Sequence, residues 1–175
     1  MTRMRVLAVA LAFLLGHPTW AADEKKGPKK VTKATAVITM DKGGEITIAF
    51  FPEDAPKTVD NFVKLAKKRF YDGLTFHRVE PGFVVQGGDP KGNGSGGPGY
   101  TIKAEFNKQK HVRGAVAMAR TQDPDSAGSQ FYICFQSQPN LDGQYTVFGI
   151  VTKGMDVVDR IKVGDRMKSV RIVEQ

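Results

Sequence analysis

Beyond residue 33 the chain is punctuated. Short runs of β-branched and aromatic residues alternate with clusters of Gly, Pro and Asp, and only two stretches carry a helical period. ATAVITM (34–40) and EITIAFF (45–51) alternate polar and apolar side chains around DKGG, which predicts a β-hairpin with a Gly-containing loop. In APKTVDNFVKLAKKR (55–69), Val59, Phe62, Val63 and Ala66 recur at helical spacing behind Pro56, a residue suited to a first helical turn. TFHRV (75–79) and FVVQG (83–87) read as short strands separated by the turn signal Glu80-Pro81-Gly82. GGDPKGNGSGGPG (87–99) is loop. GAVAMAR, FYICF and YTVFGIV are three more strands, MDVVDRIKV a short helix and KSVRIVE a last strand. About eight strands and two helices, with no βαβ alternation, predict a mainly β fold: a closed eight-stranded antiparallel β-barrel capped by two α-helices.

The first residues follow a different logic. MTRMR supplies positive charge, VLAVALAFLL is a ten-residue apolar run, and GHPTWA ends in small residues. This three-part form predicts a secretory signal peptide over 1–21, with Thr19 and Ala21 before the cut. The apolar run is short for a bilayer of roughly 30 Å, so no stable membrane insertion is expected after cleavage. Export is therefore the expected fate: periplasmic first, with the cell exterior or a secretory lumen as the other compartments. Residues 22–33 form a basic linker containing KKGPKKVTK, and 34–175 form the domain. The net charge of +8 becomes +6 once Arg3 and Arg5 leave. A basic module for acidic lipid or nucleic acid rests on that charge alone; a solvated linker with no nucleic-acid partner is the reading preferred here. Cys134, the sole cysteine, lies in an apolar run and reads as a buried, inert thiol.

Several chemistries are poorly served. GNGSGG (92–97) matches a dinucleotide-binding pattern, but Pro98-Gly99 follows it inside a loop, where a helix would be needed. There is no phosphate-cradling GK[ST] and no G-x-S-x-G nucleophile turn. His77 and His111 are far apart in sequence, and with one cysteine they make a poor metal set. What stands out instead is Arg78 inside a short β run, with Gln86 in the next. On that pattern alone, a salt-bridged arginine at a barrel rim and a functional arginine are both open.

FHRVEPGFVVQGGD (76–89), GAVAMAR (114–120), AGSQFYIC (127–134) and LDGQYTVFGIV (141–151) resemble, in order and spacing, the signature segments of the cyclophilin family of peptidyl-prolyl cis-trans isomerases. The resemblance runs from about Ala34 to the C-terminus. It implies an isomerase (rotamase) that assists protein folding, acts on proline-containing polypeptide clients, needs no cofactor, and is a monomer. It also implies the site: Arg78 as catalytic donor, Phe83, Val84, Tyr132 and Leu141 as the proline pocket, Gln86 orienting Arg78 and meeting substrate backbone. Ala119, Arg120 and Gln130 would line the neighbouring groove. His77 is open between substrate contact and a satisfied core histidine, Tyr132 between pocket lining and packing with its hydroxyl at the surface, and the glycine loop between groove wall and plain surface.

Three positions depart from the family pattern. Asn140 stands where many members carry tryptophan, Tyr145 where a histidine is frequent, and Tyr132 where a phenylalanine is frequent. Isomerase activity is expected to survive, because arginine and pocket remain, whereas tight cyclosporin binding is expected to weaken. The rival reading is a non-catalytic proline-peptide binding module or chaperone on the same fold.

Overall fold

A computed structural model of the chain describes residues 34–174. The signal peptide and the basic linker expected over 1–33 lie outside the described residues. Eight strands, β1 (Ala34–Met40), β2 (Glu45–Phe50), β3 (Phe76–Val79), β4 (Val84–Gly87), β5 (Ala115–Met118), β6 (Phe131–Cys134), β7 (Val147–Lys153) and β8 (Met167–Glu174), form one antiparallel sheet in the order β3-β4-β6-β5-β7-β2-β1-β8. Two helices accompany it, α1 (Pro56–Lys67) and α2 (Met155–Val158).

The sheet is curled but open, which corrects the expected closed barrel. Its end strands, β3 and β8, meet only at an isolated bridge between Thr75 and Arg166. Both strands begin just after that bridge, and antiparallel strands leave such a point in opposite directions. They therefore never run side by side. Backbone bonds from Gly73 N to Met167 O (2.7 Å), Met167 N to Leu74 O (2.9 Å) and Phe76 N to Asp165 O (2.8 Å) stitch the seam without extending it into a ladder.

Alternation sorts the central strands onto two apolar faces. Val85, Val116, Met118, Phe131, Ile133 and Phe148 turn inward to the main core, while their sequence neighbours Val84, Ala115, Ala117, Tyr132, Cys134 and Val147 form a second cluster on the other face. Helix α1 plugs the main core with Val59, Phe62, Val63, Leu65 and Ala66, and Phe62 lies 4.8 Å from Tyr71 and 5.5 Å from Phe131 between ring centroids. Ala55, at the helix N-cap, offers no side-chain acceptor. Glu105 supplies one from a distant loop, accepting from the backbone N–H of Lys57 (3.0 Å) and Thr58 (2.8 Å) and from the Thr58 hydroxyl (2.8 Å).

Candidate active site

Register brings the site together. Arg78 on β3 pairs with Gln86 on β4, Gln86 with Tyr132 on β6, Tyr132 with Ala117 on β5, and Ala117 with Val147 on β7. One row of side chains thus crosses five strands, where directly opposed Cβ atoms stand about 5 Å apart. Strict alternation would put Arg78 on the same face as Phe76, which is fully buried in the main core. The register shifts between those two residues, and this bulge at His77 swings Arg78 to the outer face.

Above the second apolar cluster lies a cleft of about 410 Å³, lined by His77, Arg78, Phe83, Val84, Gln86, Ala119, Arg120, Tyr132, Leu141 and Tyr145, together with Asn93 and Gly94 from the glycine loop. Gln130 stands behind Gln86 and lines an adjoining depression that Ala119 and Arg120 also border. Asn140 is not part of the lining. It is exposed on the turn Pro139–Leu141, where its carbonyl accepts from Gln144 Nε2 at 2.8 Å.

A directional chain of amides holds the arginine. An Arg78 guanidinium N–H donates to Gln86 Oε1 (3.3 Å), Gln86 Nε2 donates to Gln130 Oε1 (2.9 Å), and Gln130 Nε2 donates to the carbonyls of Gly94 and Gly96 (2.9 Å each). The glycine loop is gripped from its other side by Asp89. That buried carboxylate accepts from the backbone N–H of Lys91 (2.8 Å), Asn93 (3.0 Å) and Gly94 (2.5 Å). Burial pushes the Asp89 carboxyl up, but these N–H groups and that of Gly96 outweigh it and hold the pKa below the ordinary value. A Cβ on Gly96 would run into the Asp89 carboxylate, so the loop closes this tightly only with glycine there.

Arg78 itself is exposed, 3.6 Å from Glu80 and 5.7 Å from the centre of the Phe83 ring. Arg120 is differently employed: it donates to the carbonyls of Thr121, Gln122 and Gln144 and stacks 4.5 Å over Tyr145. His77 is half-buried, and both its ring nitrogens lack a hydrogen-bond partner. Burial holds its pKa down against the pull of Asp89.

Tyr132 is buried, and its hydroxyl is not at the surface: it lies 3.0 Å from Nε2 of His111, whose Nδ1 is 3.1 Å from Asp142. Burial raises the Tyr132 pKa and lifts that of Cys134 to about 12, so the thiol is inert at neutral pH. Sequence reading left the glycine loop, with Asn93 and Gly94, open between groove wall and plain surface, and gave no role in the site to His111 or Asp142. Asp142 stands in the LDG segment, which is a signal; His111 gave none, because its partners lie 21 and 31 residues away.

An apolar cleft edged by a held arginine can bind an apolar group and polarise an atom beside it. Comparison with known proteins names the class. Residues 35–175 match the family of cyclophilin-type peptidyl-prolyl cis-trans isomerases. The chain is 51% identical over 140 residues to peptidyl-prolyl cis-trans isomerase B of Bacillus subtilis, covering 79% of this chain and 97% of that one. A Cryptosporidium parvum cyclophilin-type isomerase superposes with a TM-score of 0.76 at 28% identity, covering 82% of this chain and 99% of that one. The structure of that isomerase in the presence of the dipeptide Ala-Pro superposes with a TM-score of 0.69 at 29% identity, covering 81% and 98%. The chain belongs to this family and is an enzyme of the peptidyl-prolyl cis-trans isomerase class.

Proposed function

We propose that the cleft rotates Xaa–Pro bonds in exported polypeptides, with Arg78 as donor to the prolyl nitrogen. The observation that carries this reading is the placement of Arg78 at the rim of an apolar pocket, steadied by Gln86. The planar amide owes its barrier of about 18–20 kcal/mol to partial double-bond character. In the twisted form that character is lost and the nitrogen regains a lone pair. A cation that keeps its proton, aimed at that nitrogen, favours the twisted form over both planar ones. Each ~1.4 kcal/mol of that preference is a tenfold rate gain.

Phe83, Val84, Tyr132 and Leu141 take the pyrrolidine ring, and Ala119 and Gln130 border the groove for the residues before it. Arg78 is exposed in the free protein, so the peptide itself supplies the desolvation that strengthens its hydrogen bond. Arg120, with its donors spent on three carbonyls, acts as a strut between the 121–122 and 144 segments. The leader-like residues 1–21 support a role in folding exported clients, first in a periplasm. The test is cis-to-trans relaxation of a short Ala-Pro peptide with purified residues 22–175, beside a folded Arg78→Ala variant. Acceleration that persists in the variant would remove Arg78 from the chemistry. No acceleration from the folded wild type would leave a proline-peptide binder.

A further inference from the structure

We propose that His111 is a positioning residue for the proline pocket, holding Tyr132 and the Leu141 turn in one fixed relation and making peptide affinity sensitive to mild acid. The inference rests on the reading of the cleft as the prolyl site.

All four hydrogen-bonding groups of this buried residue are in use. Its backbone N–H donates to Asp142 Oδ1 (2.9 Å), its carbonyl accepts from Gln138 N–H (2.7 Å), Nδ1 faces the same Asp142 oxygen (3.1 Å), and Nε2 faces the Tyr132 hydroxyl (3.0 Å). Gln138 and Asp142 flank Leu141, which is a wall of the pocket, and Tyr132 is its floor. One side chain therefore ties floor to wall.

The proton positions follow from Asp142. The His111 backbone N–H, with help from the ring and from Lys110, lowers its pKa to about 2, so it is an acceptor only. His111 Nδ1 then carries the hydrogen, neutral Nε2 is an acceptor, and the Tyr132 hydroxyl must donate to it. The hydroxyl hydrogen is thus drawn toward His111, and the ring is left to meet the proline.

Protonation of His111 reverses that bond. Nε2 becomes a donor to the tyrosine oxygen, and the hydroxyl hydrogen has to find another acceptor. Among the described residues the hydroxyl has no other hydrogen-bond partner. A buried O–H left unpaired, or a ring shifted to pair it, weakens the pocket. Burial favours the neutral form of His111 and Asp142 opposes it, the net pKa lying below the ordinary value. The other titratable or charged groups around the pair are Lys110 beside Asp142, Cys134 below Tyr132, Tyr145 edge-on to both rings, and Arg120 over Tyr145.

The test measures KM and kcat of the purified protein on an Ala-Pro peptide from about pH 7.5 to about pH 5.5, for wild type, Y132F and H111Q. Wild-type KM is expected to rise toward acid, by at most about fivefold, the worth of one hydrogen bond, with kcat little changed. The acid limb should shrink in Y132F, which lacks the hydroxyl, and in H111Q, which cannot charge, to whatever His77 contributes in all three proteins. His77 also titrates beside the cleft, but it is intact in all three proteins and cancels in the comparison. Coincident profiles for wild type and Y132F, or a flat wild-type profile, overturn the role of His111. Y132F keeps the test decisive if H111Q proves unfolded by circular dichroism. An inactive wild type at pH 7.5 would instead overturn the reading of the cleft.

Discussion

The two faces of the central strands are made from adjacent residues, yet they do different work. The inner face of β4, β5, β6 and β7 is closed by aromatic rings meeting edge-on and by α1, and its side chains are buried. The outer face carries a smaller cluster that is half-covered, by Phe83, Leu141 and Tyr145. Several polar groups on the outer face are tied to neighbours that shape the cleft: Gln86 to Gln130, Tyr132 to His111, Arg120 to three carbonyls. The inner face stores stability, and the outer face leaves part of its apolar surface open in the cleft. A single residue step along one strand moves a side chain from one role to the other.

That contrast can be broken from either side. The largest effect should come from Phe131→Ala on the inner face, where a fully buried ring is removed: about 3–5 kcal/mol of stability, measured by urea unfolding, with activity unchanged per folded molecule. On the outer face, Arg78→Ala should cost about 10²-fold in kcat/KM while the unfolding midpoint stays put. Equal shifts in both quantities for either variant would dissolve the distinction. Glu105→Ala sharpens it, since the residue touches neither face but caps α1. It should destabilise by about 1–2 kcal/mol, seen as a lower Tm, without altering KM. The smallest effect is expected from Gln130→Ala, which frees both Gln86 and the glycine loop: roughly fivefold in kcat/KM with Tm nearly constant.

Much of this was legible in the sequence, for identifiable reasons. Alternation in ATAVITM and EITIAFF marks strands with one covered face, and the helical spacing of Val59, Phe62, Val63 and Ala66 marks α1. The family segments named most of the residues that the cleft gathers; Asn140 and Gln130 lie outside its lining, and Asn93 and Gly94 join it from the glycine loop. What escaped depends on pairing, which no local pattern encodes. The bulge that turns Arg78 outward exists only against β4, and the cap from Glu105 reaches across 47 residues to Thr58. The opening between β3 and β8 depends on where two strands start relative to each other, and the expectation of closure failed there. FYIC reads as uniformly apolar, so nothing in it says that Tyr132 faces a cleft and Ile133 a core until the sheet is laid out.

The seam beside Thr75 has a kinetic meaning. The strand that bears Arg78 has a laddered neighbour on one side only, so its outer end can fray by losing bonds to β4 while Phe76 at its inner end stays anchored in the α1-plugged core. Amide hydrogens of β3 should trade with solvent through this partial opening, well before those of β5 or β6. Fraying of this border strand, rather than collapse of the whole molecule, is the opening that such an exchange experiment would time.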